Sequence, residues 1–304
     1  MSQVTLSQTF HETAPRKAIT WRVPRWWTRF RQQPTTLVGL SVTLVIVFIA
    51  LSANELAPDD PFTSVGAALQ PPSSVYWFGT DDLGRSVFAQ VVHGARVTLV
   101  VGLSVAFLAT LIGIGIGGLA GFVGGWVDDA LMRFTEVFQV LPRFFLAITI
   151  AAFFGGSVLN IVLVLALTFW TLTARLLRAQ VLSVREREFV VAARAIGVRE
   201  NTILRRHVIP NALPPALVNA SLLVGAAILV EAGLSFLGLG DRSIVSWGYM
   251  LNNAQPFLQT AWWMSVFPGT ALLTTVVAVN LLGEGLNDAL NPRHATFAEA
   301  MPQK

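Results

Sequence analysis

The sequence predicts an all-α integral membrane protein with six transmembrane helices. Three observations predict this fold class: apolar residues are abundant, charged residues are few, and the apolar residues are gathered into long runs. Of the 304 residues, 54% are hydrophobic and only 12% are charged, and the mean hydropathy is +0.62. Since so few charges cannot cover the surface of a water-soluble domain of this size, most of the chain is expected to lie in a bilayer.

Six apolar runs are long enough to cross a bilayer, which takes about 20 helical residues. The uncharged run 144–174 is too long for one crossing. It is interrupted at 154–160 by the sequence FGGSVLN, so we divide it there between the third and fourth spans. The other spans are predicted at about 35–53, 97–123, 213–237 and 264–286.

Basic residues are concentrated in segments that fall on one side of the predicted membrane. The predicted segments on the other side contain only Arg85, Arg96 and Arg242. Because cytoplasmic loops carry the excess of arginine and lysine, both termini and the loop between spans four and five are expected in the cytoplasm. The two basic groups are Arg16, Lys17, Arg22, Arg25, Arg29 and Arg31 before the first span, and Arg175, Arg178, Arg185, Arg187, Arg194, Arg199, Arg205 and Arg206 before the fifth.

The segment before the first span interleaves its arginines with Trp21, Trp26 and Trp27, a pattern that suits a helix lying among lipid headgroups. Interleaved basic and aromatic residues also occur in nucleic-acid-binding segments, but the adjacent span favours the membrane. No cleavable signal peptide is expected, because mostly polar residues precede the first apolar run and no small-residue cleavage site follows it.

Glycine recurs at every fourth position along the second predicted span. Residues spaced in this way lie on one face of a helix, and small residues there allow a second helix to approach closely. A general enrichment of glycine in membrane helices would explain one or two of these positions, but not a regular series. The predicted helix-packing face consists of Gly113, Gly117, Gly121 and Gly125.

Several enzyme classes lack their motifs in this sequence. Lys17 and Lys304 are the only lysines and neither follows a glycine, so there is no Walker A loop and no ATP hydrolysis by that mechanism is expected. The four histidines are far apart and form no metal-ligand pair, and the chain has no cysteine. We therefore expect no catalytic residue, metal or cofactor in this chain.

Charged residues within predicted spans are candidates for lining an aqueous pathway, because a charge facing lipid costs on the order of 3 kcal/mol. Glu136, Arg143 and Glu231 are these candidates. The alternatives are packing against a partner subunit and, for Glu136, a structural ion pair with Arg133 three residues earlier.

The loop EFVVAARAIGVRENTILRRHVIP, at 188–210, is a candidate docking surface. Helical spacing places Phe189, Ala192, Ala193 and Ile196 on one small apolar stripe, and Gly197 directly after it is a plausible helix end. A helix faced with alanine can lie very close to a partner. The alternative is an amphipathic helix that only rests on the lipid surface.

The chain resembles the second permease subunit of binding-protein-dependent ABC importers of the dipeptide, oligopeptide and nickel branch, over about 78–293. In that family the corresponding EAA loop inserts into a groove on a separate ATPase. The resemblance is carried by FGTDDLGRSVFAQVVHGARVTL (78–99), GGWVDDALMRFTEVFQVLPRFFLAI (124–148), the loop at 188–210, EAGLSFLGLG (231–240) and SWGYML (246–251).

The resemblance implies a type I ABC importer permease fold in the bacterial inner membrane, with a cytoplasmic coupling helix between spans four and five. It also implies a sister permease, two ATPase subunits that bind ATP and magnesium, and an external solute-binding protein. The implied substrates are peptides, or a related solute such as a metal chelate. A stand-alone secondary transporter or channel is the alternative, and it would be expected to show ion-coupling residues and internal repeats.

Where the family loop usually has glutamate before the Ala-Ala pair, this chain has Val191, so Glu188 or Arg194 is a possible substitute anchor. The implied docking residues are Glu188, Phe189, Ala192, Ala193, Arg194, Ile196, Gly197 and Pro210. The implied organisation is a cytoplasmic segment 1–34, a first helix 35–53, an external loop 54–94, a permease core 95–290 with coupling loop 183–210, and a cytoplasmic tail 291–304.

Overall fold

A computed structural model describes residues 30–31, 33–140 and 142–290 of the chain, with only the backbone described for Leu290. Two predicted segments, the interfacial segment before the first span and the tail, lie almost entirely outside these residues. The predicted features concerned are Arg16, Lys17, Trp21, Arg22, Arg25, Trp26, Trp27 and Arg29, and the tail 291–304.

Helices account for the regular structure of the described residues, apart from two isolated β-bridges near residues 64–86. The prediction of an all-helical membrane protein is therefore confirmed. The helices are α1 Pro34–Leu51, α2 Ala53–Leu56, α3 Val87–Val123, α4 Gly125–Val140, α5 Arg143–Phe154, α6 Val158–Arg185, α7 Glu188–Ala195, α8 Glu200–Ile203, α9 Ile209–Phe236, α10 Trp247–Ala254 and α11 Trp263–Leu290.

Five helices in the described part of the chain are long and apolar enough to cross a membrane: α1, α3, α6, α11 and the run Glu200–Phe236 that contains α9. A sixth crossing is available only if α4 and α5 act together, and these two helices meet at an angle of 80°. Pro142 precedes α5 and cannot continue α4, because it has no N–H to donate. The third predicted span is thus a broken one.

Helix α3 begins ten residues before its predicted start at 97, inside the predicted external loop 54–94. Its first turns contain polar side chains, which is why hydropathy missed them. His93 Nε2 lies 2.9 Å from the carbonyl of Ala57, and Arg96 Nε donates to the carbonyl of Ala50 at 3.0 Å. These groups therefore satisfy carbonyls at the ends of α1 and α2, which the two helices themselves leave open.

Helices α3 and α6 make the most extensive contact between elements in the described chain. Three of the four spaced glycines lie at this contact: a Cβ on Gly113 would meet Thr173, on Gly117 the carbonyl of Ala174, and on Gly121 the carbonyl of Arg178. The fourth does not. Gly125 begins α4 with a φ of +57°, and a Cβ there would meet nothing within 4 Å.

The helix that contains α9 begins irregularly. A single π-helical turn, Leu204–Val208, joins α8 to α9, and three prolines follow it at 210, 214 and 215. Since proline has no N–H, each of these positions removes one hydrogen bond from the helical ladder. The Asn211 side chain donates to the carbonyl of His207 at 2.6 Å.

We call the end of the bundle where α6 ends and α9 begins the arginine-rich end. The other end, formed by residues 57–86 and by α10, is the opposite end. There, Asp81 is buried and accepts hydrogen bonds from the Arg85 and Gln90 side chains at 2.6 and 2.7 Å. Trp263 Nε1 donates to the carbonyl of Thr80 at 3.0 Å, which fastens this segment to α11.

Candidate functional site

Arginines near the end of α6 fix the helices around the candidate docking loop. Arg178 makes a bidentate ion pair with Asp128 of α4, with N–O distances of 2.6 and 2.7 Å. Arg185 donates to the carbonyl of Gly121 at 3.0 Å, where α3 ends. Cations near a helix C-terminus satisfy carbonyls that lack a helical partner, so these contacts provide a firm base.

Helix α7 attaches to this base by one side only. Val190 and Ala193, three residues apart, are buried against a cluster that includes Val181 and Val184 of α6 and Ile203 of α8. The predicted apolar stripe is therefore divided: its Ala193 faces inward, and its other members do not.

The outward side of α7 is apolar and exposed. Phe189 is 41% exposed and Ile196 is 80% exposed, and Ala192 lies between them on the surface. Val191, at the position where the resemblance implies glutamate, is also exposed. Apolar side chains grouped in this way on a short helix are typical of an interaction site.

Helix α7 ends in a Schellman motif built on Gly197, which has a φ of +79°. The Gly197 N–H donates to the carbonyl of Arg194 at 2.9 Å, and the Val198 N–H donates to that of Ala193 at 3.1 Å. Val198 also packs in the same cluster as Ala193. The glycine takes the left-handed conformation that this motif requires, and the helix ends where the sequence predicted.

The charged residues of the loop have different partners. Arg194 makes an ion pair with Glu200 at 2.9 Å and lies over the ring of Phe122 at 5.9 Å. Glu188 lies in the exposed first turn of α7, where a negative charge suits the helix dipole. Pro210 is exposed in the first turn of α9, beyond the π-helical turn.

The intramembrane charges named as pathway candidates lie in three different environments. Glu136 is exposed and pairs with Arg133 at 3.3 Å. Arg143 lies over the ring of Phe169 at 5.5 Å. Glu231 is only 3% exposed and accepts a hydrogen bond from Ser235 at 2.7 Å, so it does not face an open surface of this chain.

Within the described residues, no group of three or more histidine, cysteine, aspartate or glutamate side chains could hold a metal ion. The architecture and the exposed helix together define a class, that of multi-pass helical membrane proteins with an exposed apolar helix at one end. Comparison with known proteins identifies the family within this class.

Residues 113–296 match the family described as binding-protein-dependent transport system inner membrane component, and residues 24–72 match the N-terminal TM domain of oligopeptide transport permease C. The chain belongs to this family of inner membrane transport components.

Two relatives illustrate the similarity. The chain is 38% identical to the dipeptide transport system permease protein DppC of Alkalihalophilus pseudofirmus, over 89% of this chain and 91% of that protein. It is 35% identical to the oligopeptide transport system permease protein OppC of Bacillus subtilis, over 87% and 88%.

A solved structure shares the fold. The inward-facing methionine ABC transporter MetNI contains a chain that matches with a TM-score of 0.55 at 18% identity, over 66% of this chain and 97% of that one. The match shows that this chain shares the fold of that transporter chain. The alternative of a stand-alone secondary transporter or channel is not favoured.

Proposed function

We propose that this chain is the second permease subunit of an ATP-driven peptide importer and forms half of its translocation pathway. The relatives named for dipeptide and oligopeptide transport, at 35–38% identity over most of the chain, support this substrate class. A sister permease supplies the other half of the pathway, and an external binding protein delivers the peptide. A pair of separate ATPase subunits binds ATP and magnesium.

The arginine-rich end faces the cytoplasm in this proposal, because basic loops are retained there. Helix α7 is then the coupling helix. The single observation that supports this role best is its division into two sides: Val190 and Ala193 hold it to the permease, and Phe189, Ala192 and Ile196 remain available to the ATPase. A helix held in this way transmits force as a unit.

The polar anchor in this docking is Glu188 rather than Arg194. The Arg194 guanidinium is already paired with Glu200 inside the loop, at 2.9 and 3.3 Å. Glu188 is exposed beside the apolar residues of the outward side. A cationic side chain on the ATPase is its expected partner.

Movement of α7 on ATP binding would be passed to α6 and α9, which contact it through the buried cluster around Val190. The chain itself makes and breaks no covalent bond. It changes between two arrangements of packed helices, and the ATPase dimer biases their populations.

Co-purification of the ATPases with the permease tests the docking surface. Ile196→Arg and Ala192→Arg place a bulky charge on the outward side, so we expect ATPase recovery to fall at least tenfold with normal membrane insertion. Val75→Arg is the control, because Val75 is equally exposed but lies at the opposite end. Ala193→Arg is a poor probe, because its side chain would enter the buried cluster.

Undiminished recovery of the ATPases with both outward-side variants would contradict the docking role of α7. Uptake by proteoliposomes that contain the permeases without ATPases tests the importer class separately. We expect no peptide uptake driven by an ion gradient, and such uptake would contradict an ATP-driven mechanism.

A further inference from the structure

Helices α4 and α6 enclose an open cleft of about 540 Å³ that contains charges of both signs. Asp129, Arg133 and Glu136 follow i, i+4, i+7 spacing and therefore lie on one face of α4. Arg178 of α6 completes the lining together with Met132. We call this feature the charged cleft.

Polar contacts beside the charged cleft continue away from the arginine-rich end of the bundle. Arg175 is one turn of α6 further in than Arg178, and it donates to the Gln139 side chain of α4 at 2.7 Å. It lies ten residues before the end of α6 at Arg185, which is about 15 Å along the helix. The charged and polar side chains are thus not confined to the last turn of α6.

Contact with lipid would be unfavourable for the charged face of α4. The side chains of Arg133 and Glu136 are 83% and 58% exposed in the single chain, and each charge would cost on the order of 3 kcal/mol among acyl chains. Phe134 is exposed on a different face of α4 and suits lipid or an apolar partner. The exposed Val137 and Val140 lie one turn beyond Arg133 and Glu136, where the charged face ends. The charged cleft therefore faces water or another polar surface.

The ion pairs of the cleft differ in how firmly they are held. Arg178 is fixed to Asp128 by two short bonds, which makes that pair structural. Arg133 and Glu136 form one longer, exposed contact of 3.3 Å, and such surface pairs contribute about 0–1 kcal/mol. A ligand can therefore replace the contact between Arg133 and Glu136 at a small cost in free energy.

A ligand that replaces both members of this pair must carry a cation and an anion close together. Side chains three residues apart on a helix have Cβ atoms about 5–6 Å apart, and the termini of an extended dipeptide are separated by about 7 Å. We propose that the charged cleft lines the translocation pathway and binds a zwitterionic short peptide, its ammonium at Glu136 and its carboxylate at Arg133. This inference rests on the proposed peptide-importer function.

Single-cysteine labelling in the assembled transporter tests whether the cleft is open to water. The chain has no native cysteine, so Arg133→Cys and Glu136→Cys each introduce one reactive thiol. In inverted membrane vesicles, we expect both to react with a cationic methanethiosulfonate reagent at least tenfold faster than Leu111→Cys, an exposed apolar position of α3. Saturating alanyl-alanine should slow the reaction at both sites.

Two labelling results would overturn the inference. Reaction no faster than at Leu111→Cys would show that the cleft is dry. Reaction only when the sister permease is omitted would show that the cleft is an interface between subunits.

Peptide uptake by the reconstituted transporter tests the charges themselves. Glu136→Gln and Arg133→Gln should each lower alanyl-alanine uptake at least tenfold, with ATPase co-purification unchanged. Glu284→Gln is the control, because Glu284 is an exposed carboxylate of α11 near the same end. The double exchange of Arg133→Glu with Glu136→Arg keeps both signs and should recover part of the uptake.

The uptake results separate the two proposals. Wild-type transporter that imports no peptide at all would contradict the proposed function. Wild-type uptake that both single variants retain in full would leave the proposed function standing and overturn the assignment of the charged cleft.

Discussion

The two ends of this molecule hold their polar groups in different ways. At the opposite end, the Asp81 carboxylate is buried and accepts four hydrogen bonds, from the backbone of Leu83 and Arg85 and from the side chains of Arg85 and Gln90. At the arginine-rich end, α7 is held by two buried apolar residues and by an exposed ion pair.

This difference indicates which end is built as a fixed platform. A buried carboxylate with four hydrogen bonds holds its segment in place, because removal of one member of the buried ion pair leaves the other poorly compensated. An exposed helix with a narrow apolar attachment can be displaced at a much lower cost. The segment around Asp81 is thus held firmly in place, and α7 at the arginine-rich end is the element suited to move with a partner.

The prediction with the largest expected effect concerns the buried Asp81 carboxylate at the opposite end. Asp81→Ala removes the nearer carboxylate of the buried Arg85 guanidinium and leaves only the longer contact to the Asp82 carboxylate at 3.8 Å, so we expect a loss of about 3 kcal/mol in stability. Thermal unfolding of the purified permease in detergent measures it. Asp59→Ala is the control, since Asp59 lies exposed in the same segment, and equal melting of the two variants would contradict this role of Asp81.

The second test concerns the packing that supports the arginine-rich end. Gly117→Val would place a side chain on the carbonyl of Ala174, where α3 meets α6, and overpacking of this kind costs about 1–3 kcal/mol. Gly115→Ala serves as the control, because a Cβ there meets nothing within 4 Å. We expect only Gly117→Val to lower the melting temperature, and tolerance of valine there would refute the close approach.

The third test separates the two sides of α7. Val190→Ala removes fully buried methyl groups and should weaken the attachment of α7 by about 1–2 kcal/mol. Trypsin cleavage near Arg187 and Arg199 should then become roughly 5–30 times faster. Val191→Ala, at the exposed neighbouring position, should leave the cleavage rate unchanged, and equal rates for both variants would exclude one-sided attachment.

The smallest expected effect lies in the loop before α10. Burial raises the pKa of Asp241, but hydrogen bonds from Ser243 and from the Val158 N–H lower that pKa more, so it lies below the ordinary value. The carboxylate therefore adds stability above the ordinary pKa of about 3.9, and this is lost as the pH falls through the lower, folded-state pKa.

Melting curves between pH 7 and pH 3 measure this contribution, which should be on the order of 1 kcal/mol at neutral pH. The difference between the wild type and Asp241→Asn should shrink toward acid pH. A difference that stays constant would show that protonation of Asp241 does not change the free energy of unfolding.

Much of the fold could be predicted from hydropathy, because lipid-compatible helices must be long and apolar. The ends of α1, α9 and α11 lie within four residues of their predicted positions. The break at 154–160 was also predictable, since α5 ends at Phe154 and α6 begins at Val158. The end of α7 at Gly197 followed from local backbone chemistry.

Other features depend on contacts that sequence spacing does not encode. The inward face of α7 is set by α6 and α8, so the helical stripe could not distinguish Ala193 from Ala192 and Ile196. Gly125 continued the regular spacing, yet α3 had already ended two residues before it. Glu231 is buried in the folded chain, whereas hydropathy shows only that a charge is present.

The three prolines near the start of α9 have a mechanical consequence. The carbonyls of Pro210 and Asn211 each face a proline four residues later, so neither has an N–H to close its α-helical turn. Arg206, which precedes Pro210 by four residues, lies in the π-helical turn, so regular α-helical bonding is interrupted there as well. The first turns of α9 are therefore expected to bend more easily than the rest of the helix. A force applied to the loop at 188–210 would therefore bend the first turns of α9 before it deformed the rest of the helix.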